Sequence, residues 1–364
     1  MSTGLAEVVA ALAPPFAFCG IAVQRAGQAA QYHIATAPGI AADEHSLFRA
    51  ASISKIVTGQ VLSKLVAGKV GLNPPYFSAD ISDLLDIRLR HPGWPETPLT
   101  LGMIASHSAS LSDAGGYQMP PGAGLQDWLA GRTDLFSAHK PGTAFDYCNL
   151  GYILLAAAAE ILSGQRFDHL TRDLLLDPLG ITGGFNWSGI SASDRQRSVP
   201  TYRRDGAGHL PQIDGAVPPD GLVSGTGTTM IPGNYRLGTD TAIFAPQGGL
   251  RISLAGMLAL ANSLANADQT PLWTPDVGAM DPCGGLFDSY GWGLQLLRAP
   301  PFYPRPLIGH FANAYGFTGG VWWDIERQTA FAYALNGLPP DDDDDALSRE
   351  ELMIFDSIAR HLGR

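Results

Sequence analysis

Strand signals in this chain gather at its two ends, and helix signals fill the space between them. Phe16 to Arg25 and Gln31 to Ala37 read as strands joined by a hairpin turn at Ala26-Gly27-Gln28. Tyr290 to Leu297, Pro306 to Phe311, Gly319 to Asp324 and Thr329 to Asn336 read as four more. Neighbouring strands with short turns pair antiparallel, because a parallel crossover needs about a dozen residues or more. The expected fold is therefore mixed α/β (α+β): an antiparallel sheet flanked by helices. Residues 1–70 and 246–364 are expected to build this discontinuous sheet domain, and 71–245 an inserted, mainly helical domain with long loops. No internal repeat is visible.

Helix signals are strongest in the middle. Ile53, Val57, Val61 and Leu65 recur every four residues, widened by Leu62 and Val66, and predict a helix to about Ala67. Leu150, Ile153, Leu154, Ala157 and Ile161 predict a second, ended by Gly164. Shorter helices are expected at 3–13, Ile81 to Leu85, from Thr100, near Leu125 to Ala130, and from Arg166 to Leu176. Ser253 should cap a helix to about Leu264, and Ser348-Arg-Glu-Glu351 is a capping box opening a last helix to about Leu362. Residues 183–250 read as a long loop with short strands, and a loop of that length usually shapes or covers a site. Its aromatic residues Trp187, Tyr202 and Tyr235 are candidates for lining one.

The chemistry begins at Ser52-Ile-Ser-Lys55. The two side chains are three apart at a helix start and lie on one side. A serine hydroxyl is a weak nucleophile until a base takes its proton. A lysine serves as that base when burial and a helix N-terminus lower its pKa. The plainer reading is a helix cap beside an exposed lysine. Ser137-Ala-His-Lys140 has the same spacing, but Pro141 pushes Lys140 out of the helical region, so that copy reads as a loop coincidence.

Two further stretches bear polar groups suited to such a site. Tyr147 and Asn149 are two apart just before a helix, so in extended backbone both face one way, and Cys148 between them faces the other. The phenol suits proton relay and the carboxamide suits orienting Lys55 or a substrate carbonyl; Asn149 as an N-cap with Tyr147 in the core is the alternative. His310 lies in a predicted strand, where it suits either a substrate contact or a satisfied structural role. An edge strand there can also offer a backbone N–H to an oxyanion.

Bulk properties bound the partners. The 364 residues are 45% hydrophobic and 16% charged, with net charge −11, so nucleic acid is not an expected partner. No apolar run approaches the roughly 18 residues of a membrane span. Cys19, Cys148 and Cys283 show no paired spacing, so neither a disulfide framework nor a metal site is expected. The N-terminus has no basic segment before its apolar residues, which makes a cytoplasmic location the default and a periplasmic one the expectation if a leader has been removed. Asp341 to Asp345 reads as a solvated loop, with weak calcium binding as the alternative.

Together, Ser52-Ile-Ser-Lys55, Tyr147-Cys-Asn149 and His310-Phe-Ala312 resemble the Ser-x-x-Lys, Tyr-x-Asn and Lys/His-x-Gly motifs of class C β-lactamase-like serine hydrolases, penicillin-binding-protein-like enzymes that include D-aminopeptidases and lactamase-fold esterases. Leu99 to Leu111, Lys140 to Tyr152, Asp177-Pro-Leu-Gly-Ile181 and Gln247-Gly-Gly-Leu250 are similar to further family segments in the same order. The resemblance implies Ser52 as acylated nucleophile and Lys55 with Tyr147 as general base and acid. It implies Asn149 as holder of Lys55 and substrate, His310 at the Lys/His position, and the N–H groups of Ser52 and Asn313 as the oxyanion hole. Ala312 departs from the family glycine, a position where close substrate approach favours a missing side chain. The implied activity is hydrolysis of a small ester or amide without cofactor or metal. Acyl transfer, D-amino-acid peptidase action and an inactive ligand-binding paralogue are the alternatives. Oligomeric state is not read from the sequence.

Overall fold

Thr329 to Asn336 alternates small and large residues, and that alternation sets how the sheet is covered. In the computed structural model, which describes residues 4–13, 15–67, 76–120, 122–185, 187, 190–206, 208–212, 231, 233–274, 286–339 and 346–363, this stretch is fully buried on both faces. Cys283 and the Asp341 to Asp345 run lie outside the described residues.

The strands are β1 (Phe18–Arg25), β2 (Gln31–Thr36), β3 (Phe48–Arg49), β4 (Gly183–Phe185), β5 (Tyr202–Asp205), β6 (Gly208–Pro211), β7 (Leu250–Ile252), β8 (Ser289–Gly291), β9 (Leu294–Leu297), β10 (Leu307–Ala314), β11 (Phe317–Asp324) and β12 (Thr329–Asn336). The helices are α1 (Leu5–Leu12), α2 (Ser54–Ala67), α3 (Ile81–Leu85), α4 (Leu101–Ala105), α5 (Leu125–Leu129), α6 (Asn149–Ser163), α7 (Phe167–Thr171), α8 (Ala192–Gln196), α9 (Leu254–Ser263) and α10 (Arg349–His361). A seven-stranded antiparallel sheet has the order β2-β1-β12-β11-β10-β9-β8, so the two ends of the chain meet where β1 pairs with β12. A smaller sheet runs β3-β7-β4.

Ala330, Ala332 and Ala334 face α9, and their small size lets that helix approach closely. Phe331, Tyr333 and Leu335 face the opposite way, into a core shared with α1 and α10. The first core continues under α2 and α6, which pack on each other.

Several elements differ from expectation. Tyr290 to Leu297 is two strands folded back at Trp292 and Gly293, whose φ values of 51° and 80° give a two-residue turn of the kind that matches strand twist. Gly293 is a usual residue for such a turn but Trp292 is not, so the local signal was only half present. Residues 172–176 wind as a π-helical turn instead of continuing α7. α8, capped by Ser191, was not expected within 183–250.

Candidate active site

Ser52 lies in a single 3-10 turn, Ala51–Ile53, that runs directly into α2. Ala51 takes a left-handed φ of 43°, which costs a non-glycine residue about 1–3 kcal/mol. Ser54 holds this turn: its Oγ donates to the Ala51 carbonyl at 2.6 Å and accepts the Leu250 N–H at 2.9 Å.

Lys55 is fully buried. Its Nζ lies 3.1 Å from Ser52 Oγ, 2.7 Å from Asn149 Oδ1 and 3.1 Å from the Gln247 carbonyl. Three acceptors match the three N–H donors of an ammonium. A neutral amine keeps two donors for Asn149 and Gln247 and can turn its lone pair to Ser52. Burial lowers the Lys55 pKa to about 7, with Asp113 opposing the shift. Both forms are therefore populated near neutral pH. Burial also holds Cys148 as a thiol well above its ordinary range, so it adds no charge there.

Tyr147 and Asn149 flank the extended residue Cys148, and both reach the site. The Tyr147 hydroxyl is 3.0 Å from Ser52 Oγ, and its ring centroid is 4.7 Å from Lys55 Nζ. Cys148 is turned away and buried. Asn149 is not the helix cap: it is the first residue of α6, and Asp113, from a distant turn, caps that helix by accepting the N–H groups of Asn149 and Leu150. His107 braces the segment from the other side. Its carbonyl accepts the Asp146 N–H and its Nδ1 accepts the Cys148 N–H. The acceptor role of Nδ1 places the ring proton on Nε2, and burial, then the Lys55 charge, keeps His107 neutral. Its ring lies 4.5 Å from that of Tyr147.

The third stretch supplies an edge more than a side chain. β10 pairs with β11 along its whole length but with β9 only over Leu307–Gly309. Beyond Gly309 this edge has no strand partner among the described residues, and β10 lies against the Ser52 turn. The Gln295 side chain takes the Phe311 N–H at 2.9 Å on this edge. N–H groups two apart in a strand point the same way, so that of Asn313 points to this edge as well.

His310 does not present itself to a substrate. It is fully buried, with Nδ1 donating to the Phe311 carbonyl and Nε2 accepting from the Tyr290 hydroxyl at 2.9 Å. Burial, then the Lys55 charge, lowers its pKa to about 3. Ala312 is also fully buried, with its methyl in the core below the edge.

Ser137 donates to Asp146 in a loop, as the proline after Lys140 suggested. Trp187 packs with Leu47 and Ile190, and the Tyr235 hydroxyl bonds Glu160 on α6; both anchor loops instead of lining the site. The Tyr202 backbone packs against Gly316, after the end of β10. Sequence reasoning missed Asp113, His107, Tyr290 and Gln295, which act on neighbours distant in the chain. Among the described residues, no His, Cys, Asp or Glu side chains gather in threes as metal ligands do.

The sequence profile of the β-lactamase family matches residues 19–353. The chain belongs to the β-lactamase family. Within it, a stretch of 147 residues is 29% identical to penicillin-binding protein 4 of Amycolatopsis lactamdurans, covering 39% of this chain and 37% of that protein. A stretch of 147 residues is 32% identical to the D-alanyl-D-alanine-carboxypeptidase/endopeptidase AmpH of Escherichia coli, covering 37% of this chain and 36% of the relative. The matches thus span little more than a third of these relatives. The β-lactamase fold is also that of a β-lactamase/D-alanine carboxypeptidase from Yersinia pestis, at TM-score 0.71 and 17% identity over 99% of this chain and 98% of that one. A D-amino acid amidase from Ochrobactrum anthropi is similar at TM-score 0.70 and 17% identity, covering 98% of this chain and 97% of its own. No helix among the described residues is long and apolar enough to cross a membrane.

Proposed function

We propose that this β-lactamase-family protein is a serine hydrolase that acts on a small ester or amide through an acyl-enzyme at Ser52. One observation carries the reading: an amine and a phenol from distant parts of the chain converge on one hydroxyl, Lys55 Nζ at 3.1 Å and Tyr147 Oη at 3.0 Å from Ser52 Oγ. In acylation the free amine of Lys55 takes the Ser52 proton as Oγ bonds to the substrate carbonyl carbon. The N–H groups of Ser52 and Asn313 receive the oxyanion. The bond to the leaving alcohol or amine then breaks, that group takes a proton from Tyr147, and the proton on Lys55 restores the phenol. Water attacks the acyl-enzyme, one of its protons passes through Lys55 and Tyr147 to Ser52 Oγ, and the acid leaves.

His310 itself supplies no charge for a substrate carboxylate. A buried, neutral imidazole with both nitrogens engaged offers no cation to an anion. Arg49, nearby, donates to the Gly248 carbonyl and the Tyr315 hydroxyl. A guanidinium stays charged in such bonds, so a carboxylate-bearing D-alanyl peptide keeps a cation near the Ser52 turn, and assays must rank it against esters and neutral amides.

A fluorophosphonate probe is expected to label wild-type Ser52 and to leave Ser52→Ala unlabelled. p-Nitrophenyl esters, nitrocefin and D-alanyl peptides then rank the substrate classes. Folded protein that takes no adduct on Ser52 would refute the hydrolase reading in favour of a ligand-binding paralogue.

A further inference from the structure

Asp113 caps α6, but its carboxylate makes one bond more than a cap requires. Its oxygens accept the Asn149 N–H at 3.0 and 2.8 Å, the Leu150 N–H at 3.1 Å, and also Asn149 Nδ2 at 2.8 Å. The Cys148 thiol lies 3.2 Å from the same group. The Asn149 amide thus bridges Asp113 on one side and Lys55, 2.7 Å from Oδ1, on the other.

The two ends of an amide side chain are told apart by their partners. A carboxylate only accepts, so Nδ2 must face Asp113. An ammonium only donates, so Oδ1 must face Lys55. If the amide turned over, Nδ2–H would point at Lys55 and donate to the lone pair of the free amine. That lone pair is the one needed for the Ser52 proton.

We propose that Asp113 is a positioning residue for the reaction: it locks the Asn149 amide in the orientation that leaves the Lys55 lone pair to Ser52, and it sets a fixed negative charge behind the Lys55 amine. The inference rests on the reading of Lys55 as the base. The other titratable groups around Lys55 are Tyr147 and Tyr152, Cys148, His107 after α4, Tyr290 on β8 and His310 on β10. Both histidines are held neutral, and burial raises Tyr152, Tyr290 and Cys148. Asp113 is the carboxylate of this set, and its charge raises the Lys55 pKa against burial.

The test separates capping from positioning. Asp113→Asn loses the charge and keeps one accepting oxygen, which can hold both Asn149 donors, while its NH2 leaves the Leu150 N–H without that acceptor. Its melting temperature is expected to fall by only a few degrees for that one lost cap bond. Its kcat is expected to fall roughly 100-fold, as misplaced catalytic groups do. The Lys55 titration midpoint, followed by NMR on lysine-labelled protein with the signal assigned through Lys55→Arg, should move down by roughly one pH unit. A midpoint that stays in place overturns the proposal, whatever happens to the rate. Asp113→Ser carries the same expectation should the asparagine variant not fold. The titration is read without turnover, so a failure of this inference is told apart from a failure of the hydrolase reading, which the fluorophosphonate probe reports.

Discussion

The Tyr147 hydroxyl stands 3.0 Å from Ser52 Oγ, while the face of the same ring covers Lys55 Nζ. Tyr147→Phe should therefore remove proton transfer and leave the ring in place. We expect kcat to fall by about 10²–10⁴-fold, the range of general acid–base catalysis. Unfolding by urea should move by no more than about 1 kcal/mol, because the hydroxyl is the only group lost. Comparable turnover by the phenylalanine variant would remove Tyr147 from the mechanism.

Lys55 predicts a pH profile. Its amine must be free to accept the Ser52 proton, and burial sets its pKa at about 7. The rate constant kcat/KM should rise with pH up to about 7 and level off above it. Stability follows the same group. Its folded pKa lies below the unfolded value, so the folded state binds fewer protons between them, and stability rises with pH across that window. Below pH 7 both states are protonated and the cost of burial is fully present. Lys55→Met should be inactive. It should also lack the part of the pH slope due to this one proton, at most about 1.4 kcal/mol per pH unit, in urea titrations from pH 7 to 9.

The turn at Trp292-Gly293 bears on the same lysine from behind. A Cβ on Gly293 would lie 2.0 Å from the Lys55 carbonyl, at a φ of 80°; one on Gly59 would lie 2.1 Å from the Trp292 carbonyl. The two glycines let a β-hairpin touch α2 backbone to backbone. Gly293→Ala is expected to cost about 3 kcal/mol or more, combining overpacking with a strained φ. Its kcat should fall as well, since relief of the clash displaces Lys55. Urea unfolding with parallel kinetics checks both.

That contact also shows where sequence reading stops. Ser52 with Lys55, three apart across a helix start, and Tyr147 with Asn149, two apart about the extended Cys148, were legible because backbone period decides which way they face. The strand pairs at both ends were legible for the same reason. The cap on Asn149 comes from a residue 36 positions away, and nothing near Asp113 marks it as such. His310 reads as a site residue by position, yet Tyr290, brought in by a turn whose first central residue is a tryptophan, engages it in the core.

Glu351 offers a test of how α10 supports the open edge of β10. Its carboxylate is buried and accepts from Tyr333 Oη at 2.7 Å, Thr318 Oγ1 at 3.0 Å and the Ser348 N–H at 2.9 Å. Thr318 Oγ1 also reaches the Ala312 carbonyl, which ties the helix start to the strand before Asn313. Burial raises the Glu351 pKa. A carboxyl with a raised folded pKa contributes stability at low pH and loses it as pH rises through that folded value. Glutamine keeps the shape without the charge but accepts at one position: with Oε1 on the Ser348 N–H, Nε2 faces the two hydroxyls, Thr318 turns its proton to the Ala312 carbonyl, and the Tyr333 O–H loses its acceptor. Glu351→Gln should therefore start about 1–3 kcal/mol below wild type at low pH and recover against it as pH rises through the folded pKa of Glu351. Glu351→Leu leaves buried donors without an acceptor and should cost about 1–3 kcal/mol. A glutamine deficit that does not shrink with rising pH would show that the ionised carboxylate is the form this network was built around.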